Sequence, residues 1–215
     1  MAKTFEEMKA AIADWVGNAN TTRLPTSVRG DLVNIKIKEL GRKYDFRWLE
    51  TTAAARTLVA GAHTLALPTR FSHPYVMRLQ SGTDVYEVEQ LTYSELRARF
   101  PDPANDDTGT PGNYAVYGEY FYFSCRADVD YTVLEDYFVY LDDLADGAPA
   151  NTNKFIEIAW DVVLFGVLAD CSLYGIEDAR IGVFQSKYEN LLSNLISEHA
   201  RARSSGRPAI AEEPG

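Results

Sequence analysis

Apolar residues recur at three- and four-residue intervals from the start of the chain. Phe5, Met8, Ile12 and Trp15 follow Thr4-x-x-Glu7, a capping box, and Gly17 supplies a stop, so the spacing predicts a first amphipathic helix. Residues 18–26, "NANTTRLPT", are a turn-rich connection. Val33, Ile37, Leu40 and Tyr44 then form the buried face of a second helix from about Ser27 to Lys43, and no helical pattern survives past Trp48.

From Thr51 the period falls from helical to two. "TTAAARTLVA" and "HTLALP" flank Gly61-Ala62 as a first candidate hairpin, ended by Pro68. "YVMRLQ" and "VYEVEQL" flank Ser81-Gly82 as a second. "LTYSELRARF" predicts one short helix, capped by Thr92 with Glu95 at the capping-box position and stopped by Pro101. After the loop "PDPANDDTGTPG", the strands "NYAVY" and "YFYFSC" meet at Gly118-Glu119, where Gly in the first turn position fits a type II′ hairpin. "YTVLEDYFVYL" is a last strand.

Helix returns after the loop "DDLADGAPANTN". The stretch from about Asn153 to Leu173 is apolar nearly all round, and from Glu177 to Arg203 a stripe of Phe184, Tyr188, Leu191 and Leu195 predicts a final helix. The tail "SSGRPAIAEEPG" lacks the apolar content to fold alone. The expected class is α+β, mainly α: a four-helix bundle with a β-rich insert between its second and third helices and an extended C-terminal tail. The expected divisions are helices in 1–50, the β-rich insert in 51–150, helices in 151–203 and the tail in 204–215. Tyr44, Phe46 and Trp48 alternate with charges where helix gives way to strand. They are expected to form a structural junction, fixing the exit of the insert by packing rather than by chemistry.

Charge narrows the function. The net charge is −10, and residues 51–150 carry six Lys/Arg against fifteen Asp/Glu, whereas residues 1–50 carry nine against seven. That balance argues against a general nucleic-acid binder, which needs a basic patch for phosphates. It is compatible with a surface that nucleic acid passes without sticking. The two cysteines, Cys125 and Cys171, in a chain showing no signal peptide, read as reduced thiols of a cytosolic product. Glu157, Asp161 and Asp170 interrupt the most apolar stretch, so no membrane span is expected.

Candidate chemistry is sparse. His63, His73 and His199 have no second ligand at helical spacing, and the acidic runs Asp102, Asp106, Asp107 and Asp142, Asp143, Asp146 lack the EF-hand arrangement. No nucleophile elbow, phosphate loop or dinucleotide fingerprint appears. Glu135 and Asp136 are adjacent on a strand and point to opposite faces. Neither an enzyme nor a cofactor is expected. Lys36, Lys38, Arg42 and Lys43 read as the exposed basic face of the second helix, without the partner helix of a DNA-recognition motif.

In order along the chain, "GRKYDFRWLETT", "TLVAGAHTLALP", "LTYSELRARFPDP", "TGTPGNYAVYGEYFYF" and "APANTNKFIEIAWDVVLFGVLADC" closely resemble the head-to-tail adaptor (connector) proteins of tailed bacteriophages, over about residues 25–203. Each piece is weak alone; five in sequence are specific. The resemblance implies a structural virion protein of the neck, made in the host cytoplasm, whose copies form a ring, usually of twelve, below the portal protein. Such a ring extends the DNA channel and offers a platform to a tail or nozzle protein. The family's C-terminal segments reach the portal, which implies portal contacts for Arg201, Arg203, Arg207, Pro208 and Ile210. It supplies no catalytic residues. Where its members often carry a basic, proline-containing run, this chain has the acidic "YLDDLAD" of Tyr140–Asp146.

In such a ring the acidic insert would face the genome, with Glu87, Glu89, Asp128, Asp130, Glu135 and Asp136 as channel-lining candidates that repel DNA rather than bind it. The alternative reading is another ring component of the tail, a tail-tube or nozzle protein.

Overall fold

The computed structural model describes residues 3–17, 24–105, 107–147, 151–171 and 179–204. The chain divides into a helical unit, Met1–Arg47 with Leu141–Gly215, and a β unit, Trp48–Tyr140.

In the helical unit α1 spans Phe5–Val16 and opens on the expected capping box: the Thr4 hydroxyl accepts from the Glu7 amide at 3.3 Å, and the Glu7 carboxylate accepts from the Thr4 amide at 2.9 Å. Helix α2 runs Thr26–Lys43 and buries Val33, Ile37 and Leu40. The long apolar helix predicted from Asn153 is broken. Asn153 caps α4 (Lys154–Ile158), Ala159 leaves the helical region at φ −117°, ψ 35°, and α5 (Trp160–Asp170) starts afresh. Helix α5 packs against α1, α2, α4 and the last helix, Ile181–Ser204, which explains why it is apolar nearly all round. The last helix turns Phe184, Tyr188 and Leu192 inward, so its buried stripe runs through Leu192 rather than Leu191.

Two lysines occupy this apolar interior. Lys36, read from the sequence as part of an exposed basic face, is 4% exposed and sits between the carboxylates of Glu39 and Asp170, each at 2.7 Å, with its ammonium over the Tyr188 ring. Lys9 is 2% exposed and joins Glu6 to Asp146 while lying over the Phe5 ring. Burial disfavours both ammonium charges, but the paired carboxylates more than offset it and hold each group above its ordinary value.

The β unit holds three sheets and one short helix. The first sheet contains β1 (Glu50–Thr52), β2 (Arg56–Leu58), β4 (Phe71–Ser81), β5 (Asp84–Glu87) and β11 (Tyr131–Val139). Strand β11 is its organiser, pairing antiparallel with β1, β2 and β4. The second sheet orders β3 (Thr64–Ala66), β9 (Tyr120–Phe123), β8 (Asn113–Tyr117) and β6 (Glu89–Gln90), and α3 (Tyr93–Arg99) lies against β8. Strands β7 (Thr108–Gly109) and β10 (Arg126–Ala127) form a small parallel pair.

The turn at Gly118-Glu119 is as expected, with φ +59° at Gly118 and no positive φ at Glu119, as a II′ hairpin requires. The turn expected at Ser81-Gly82 lies one residue later, at Gly82-Thr83, with φ +60° at Gly82 and Ser81 paired to Asp84. The predicted hairpin around Gly61-Ala62 is different. The chain does turn there, but β2 joins β11 and β3 joins β9, so the two arms enter separate sheets. Strand β4 also begins earlier than expected, at Phe71, and runs through Pro74. A register shift opposite Asp136/Tyr137 leaves Tyr75 as the extra residue, which accommodates a residue that cannot donate to the ladder.

A mainly α four-helix bundle is therefore not what the chain forms. Among the described residues six α-helices and eleven strands in three sheets make a mixed α+β protein. The expectation fails because the third predicted helix is broken at Ala159 into two, and because the strands are numerous enough to build a core of their own around Leu79, Phe121, Phe123 and Val133. Among these residues no helix is long and apolar enough to cross a membrane.

Because the Lys36 pKa is raised on folding, its contribution to stability is complete below pH 10.5 and is lost as pH rises through the higher folded-state value. Urea titrations of Lys36→Met at pH 9 and above should show a flatter alkaline decline than the parent chain.

Candidate interaction surfaces

Arg201 is exposed on the last helix, α6 (Ile181–Ser204). Arg203 falls in the last turn of that helix with its side chain outside the described set, and Arg207, Pro208 and Ile210 lie outside the described residues. The end of α6 is anchored just before these arginines. His199 Nδ1 accepts from the Arg47 amide at 3.4 Å, and its ring meets Phe46 edge-on with centroids 5.6 Å apart.

That contact also defines the aromatic segment where α2 ends. Phe46 is 1% exposed and stands edge-on to Phe155 at 5.5 Å, with Tyr44 tilted against it at 5.8 Å. Trp48 is half-buried in a 3-10 turn over Arg47–Leu49. Phe46 thus belongs to the core of the helical unit, while Trp48 opens the β unit.

The six acidic candidates do not share one environment. Glu87 and Glu89 are exposed on β5 and β6, with Glu89 accepting from the Asn113 amide group at 3.0 Å. Asp128 and Asp130 are exposed before β11; Asp128 accepts from the Tyr131 hydroxyl at 2.7 Å and Asp130 from the Ala60 amide at 2.7 Å. Asp136 is partly buried and accepts from Thr52 at 2.6 Å and Arg78 at 3.1 Å. Glu135 is 2% exposed, turned into the β unit and paired with Arg56. Burial pushes its carboxyl above the usual range, and the neighbouring guanidinium offsets that only in part. The two faces inferred from their adjacency are real: one of the pair is core, the other surface-facing. The acidic run of residues 142–146 is likewise engaged, Asp143 with Lys38 at 2.6 Å and Asp146 with Lys9. Among the described residues no group of three His, Cys, Asp or Glu side chains is placed to hold a metal ion.

One surface is absent from the sequence reading. Along β9 the strand period sends Phe121 and Phe123 into the core and leaves Tyr120 and Tyr122 on the opposite face, which α3 partly covers. Tyr117 of β8 stacks on Tyr93 of α3 with centroids 4.1 Å apart and planes 10° from parallel. The Arg97 guanidinium lies over Tyr93 and Tyr122 at 5.3 and 5.8 Å, and its Nε donates to the Tyr93 hydroxyl at 3.0 Å. Tyr117 and Tyr120 remain 56% and 46% exposed. His63, beside Tyr122, has its pKa lowered by burial and then by the charges of Arg97 and Arg126, against a weaker opposing effect of Asp102. Arg97 thus places a cation on this face of an acidic unit, with Glu119 exposed in the turn between Tyr117 and Tyr120. The alternation in "YFYF" was the available signal for it.

The family model described as SU10 adaptor protein matches residues 3–211. The chain belongs to the SU10 adaptor protein family. It is a structural adaptor protein of a bacteriophage and a component of the virion. The resemblance seen over residues 25–203 is borne out, and the match extends it towards both ends. No curated protein matches the chain.

Two substitutions probe how the adaptor's candidate residues are held. Phe46→Ala should lower stability by about 3–5 kcal/mol, as removal of a fully buried aromatic does, measured by urea unfolding. Arg56→Met leaves Glu135 buried without its cation and should cost about 3–5 kcal/mol at pH 7. Since the Glu135 pKa is raised in the fold, the folded state takes up the proton more readily, so the deficit should shrink as pH is lowered from 7 towards 5. A deficit independent of pH would mean that Glu135 is already protonated at pH 7.

Proposed function

We propose that the adaptor is the head-to-tail adaptor of a tailed phage: its copies form a ring, of twelve in the usual arrangement, that docks below the portal protein, extends the DNA channel and receives a tail or nozzle protein. The observation that carries this reading is the family match over residues 3–211, which takes in both units and most of the C-terminal tail. The exposed Arg201 at the end of an anchored α6 supports a portal contact made by the tail that follows, with Arg203, Arg207, Pro208 and Ile210 as further contacts. Basic side chains at a helix C-terminus also suit the helix dipole, so their placement there costs no stability.

The channel wall in this reading uses the acids that stay at the surface, Glu87, Glu89, Asp128 and Asp130, with Asp136 at its margin. Glu135 is withdrawn into the β unit and has no part in a wall. Like charge keeps a DNA duplex moving through a ring instead of bound to it.

Sedimentation of the purified chain with portal rings of the same virus tests the proposal. Co-sedimentation at a ring-like stoichiometry is expected; binding to tail proteins but not to the portal would move the chain down the stack. Charge reversal at Arg201 and Arg203 should weaken portal binding tenfold or more while the helical unit stays folded, with only the small loss of stability that acids at a helix C-terminus bring. Equal binding by the variant would place the portal contact elsewhere.

A further inference from the structure

The tyrosine–arginine face has the composition of an interaction hot spot. Tyrosine and arginine side chains here are already stacked and hydrogen-bonded to one another, so little side-chain freedom is left to lose on association. What it meets must be judged from charge. The β unit carries six Lys/Arg against thirteen Asp/Glu, and Arg56 and Arg78 are engaged by Glu135 and Asp136. Two copies of such a unit repel unless an acidic patch of one meets a cationic patch of the other.

The same unit offers the complementary patch. Strand β5 closes one end of its sheet, with β4 on one side and no strand on the other among the described residues. All four of its residues are exposed: Val85 and Tyr86, at 52% and 41%, sit between the acids Asp84 and Glu87. An exposed strand edge with apolar side chains invites cover by another chain.

We infer that the β5 edge of one copy seats on the tyrosine–arginine face of the next, Val85 packing on Tyr117 and Tyr120 while Glu87, on the same face of the strand, meets Arg97. Glu87 engaged in this way leaves the channel wall to Glu89, Asp128 and Asp130. The inference rests on the ring proposed above and names the surfaces that build it. Because the two patches differ, the contact is heterologous and each copy keeps one of each available, the arrangement from which closed rings are made.

The test uses the full chain assembled on portal rings of the same virus. Val85→Cys and Tyr117→Cys are combined in a Cys125→Ala background; Cys171 is buried, and burial with the nearby Asp170 pushes its thiol up to about 11, so it stays silent towards a short bis-maleimide at pH 7. A covalent ladder of linked copies on a denaturing gel, absent from either single-cysteine chain, is the expected result. Glu87→Ala, at an exposed position, should reduce ring assembly at least tenfold while the chain stays folded, and Glu87→Gln, which keeps the side chain's size, should reduce it as well. Rings that form at normal stoichiometry without a ladder, and an unaffected Glu87→Ala or Glu87→Gln chain, would overturn this interface and leave the ring intact. Failure of any copies to assemble on the portal would overturn both readings.

Discussion

Strand β11 must send alternate side chains into the β unit, and after Tyr131 and Val133 the next inward position is Glu135. A carboxylate there is tolerable only beside a cation. Arg56 provides it because the β2–β11 register sets Arg56 opposite Val133, one residue pair from the acid's side of the strand. The same guanidinium donates to the Ala66 carbonyl on β3 and lies 5.9 Å from the Phe121 ring centre. Arg56 therefore ties the first sheet, through Glu135, to the second, through β3 and β9. That linkage keeps β2 and β3 in contact although each pairs in a different sheet.

The helical unit solves a related problem with lysine. Lys9 and Lys36 thread long apolar stems through the helix interfaces and deliver their charges to carboxylates that are partly open to solvent, Asp146 and Asp170 among them. Asn34 completes the attachment of the incoming chain: its side chain both donates to and accepts from the Leu144 backbone, at 3.0 and 2.9 Å. The acidic "YLDDLAD" run is thus a strap pinned by Lys9, Asn34 and Lys38 to the first two helices. Its acids answer single lysines, Lys9 on α1 and Lys38 on α2.

Local signals were legible where they depend on a few neighbouring residues. Both capping boxes, at Thr4 and Thr92, and the turns at Gly82 and Gly118 follow from side-chain reach and from glycine's access to positive φ. Partnership over long sequence distances was not legible. Nothing in "TTAAARTLVA" says that its strand will pair with residues 131–133, and an apolar run that is buried on all sides carries no period to reveal the break at Ala159. The same limit misplaced Lys36: a helix pattern shows which face is basic, but not that Asp170, on another helix, will draw one of those lysines inside. The strand bulge at Tyr75 depends on a register that only β11 defines. The tyrosine–arginine face needed the sheet and α3 together, so its members, distant in sequence, looked like separate strand and helix residues.

These arrangements divide the charges by purpose. Ion pairs with at least one member buried or partly buried, those of Arg56, Arg78, Lys9 and Lys36, hold elements together, and altering them should register in stability. Arg97 differs in kind: it donates to the Tyr93 hydroxyl and the Pro101 carbonyl and lays its planar charge over the rings of Tyr93 and Tyr122, with no carboxylate within ion-pair distance among the described residues. A guanidinium stacked on aromatics at a face with exposed tyrosines stabilises little by itself and remains able to receive an anion. For a structural adaptor protein, whose work is contact with other chains, that is the more telling placement. Interior ion pairs make the two units; a cation kept at the surface, on an acidic background, is what one copy has to offer the next.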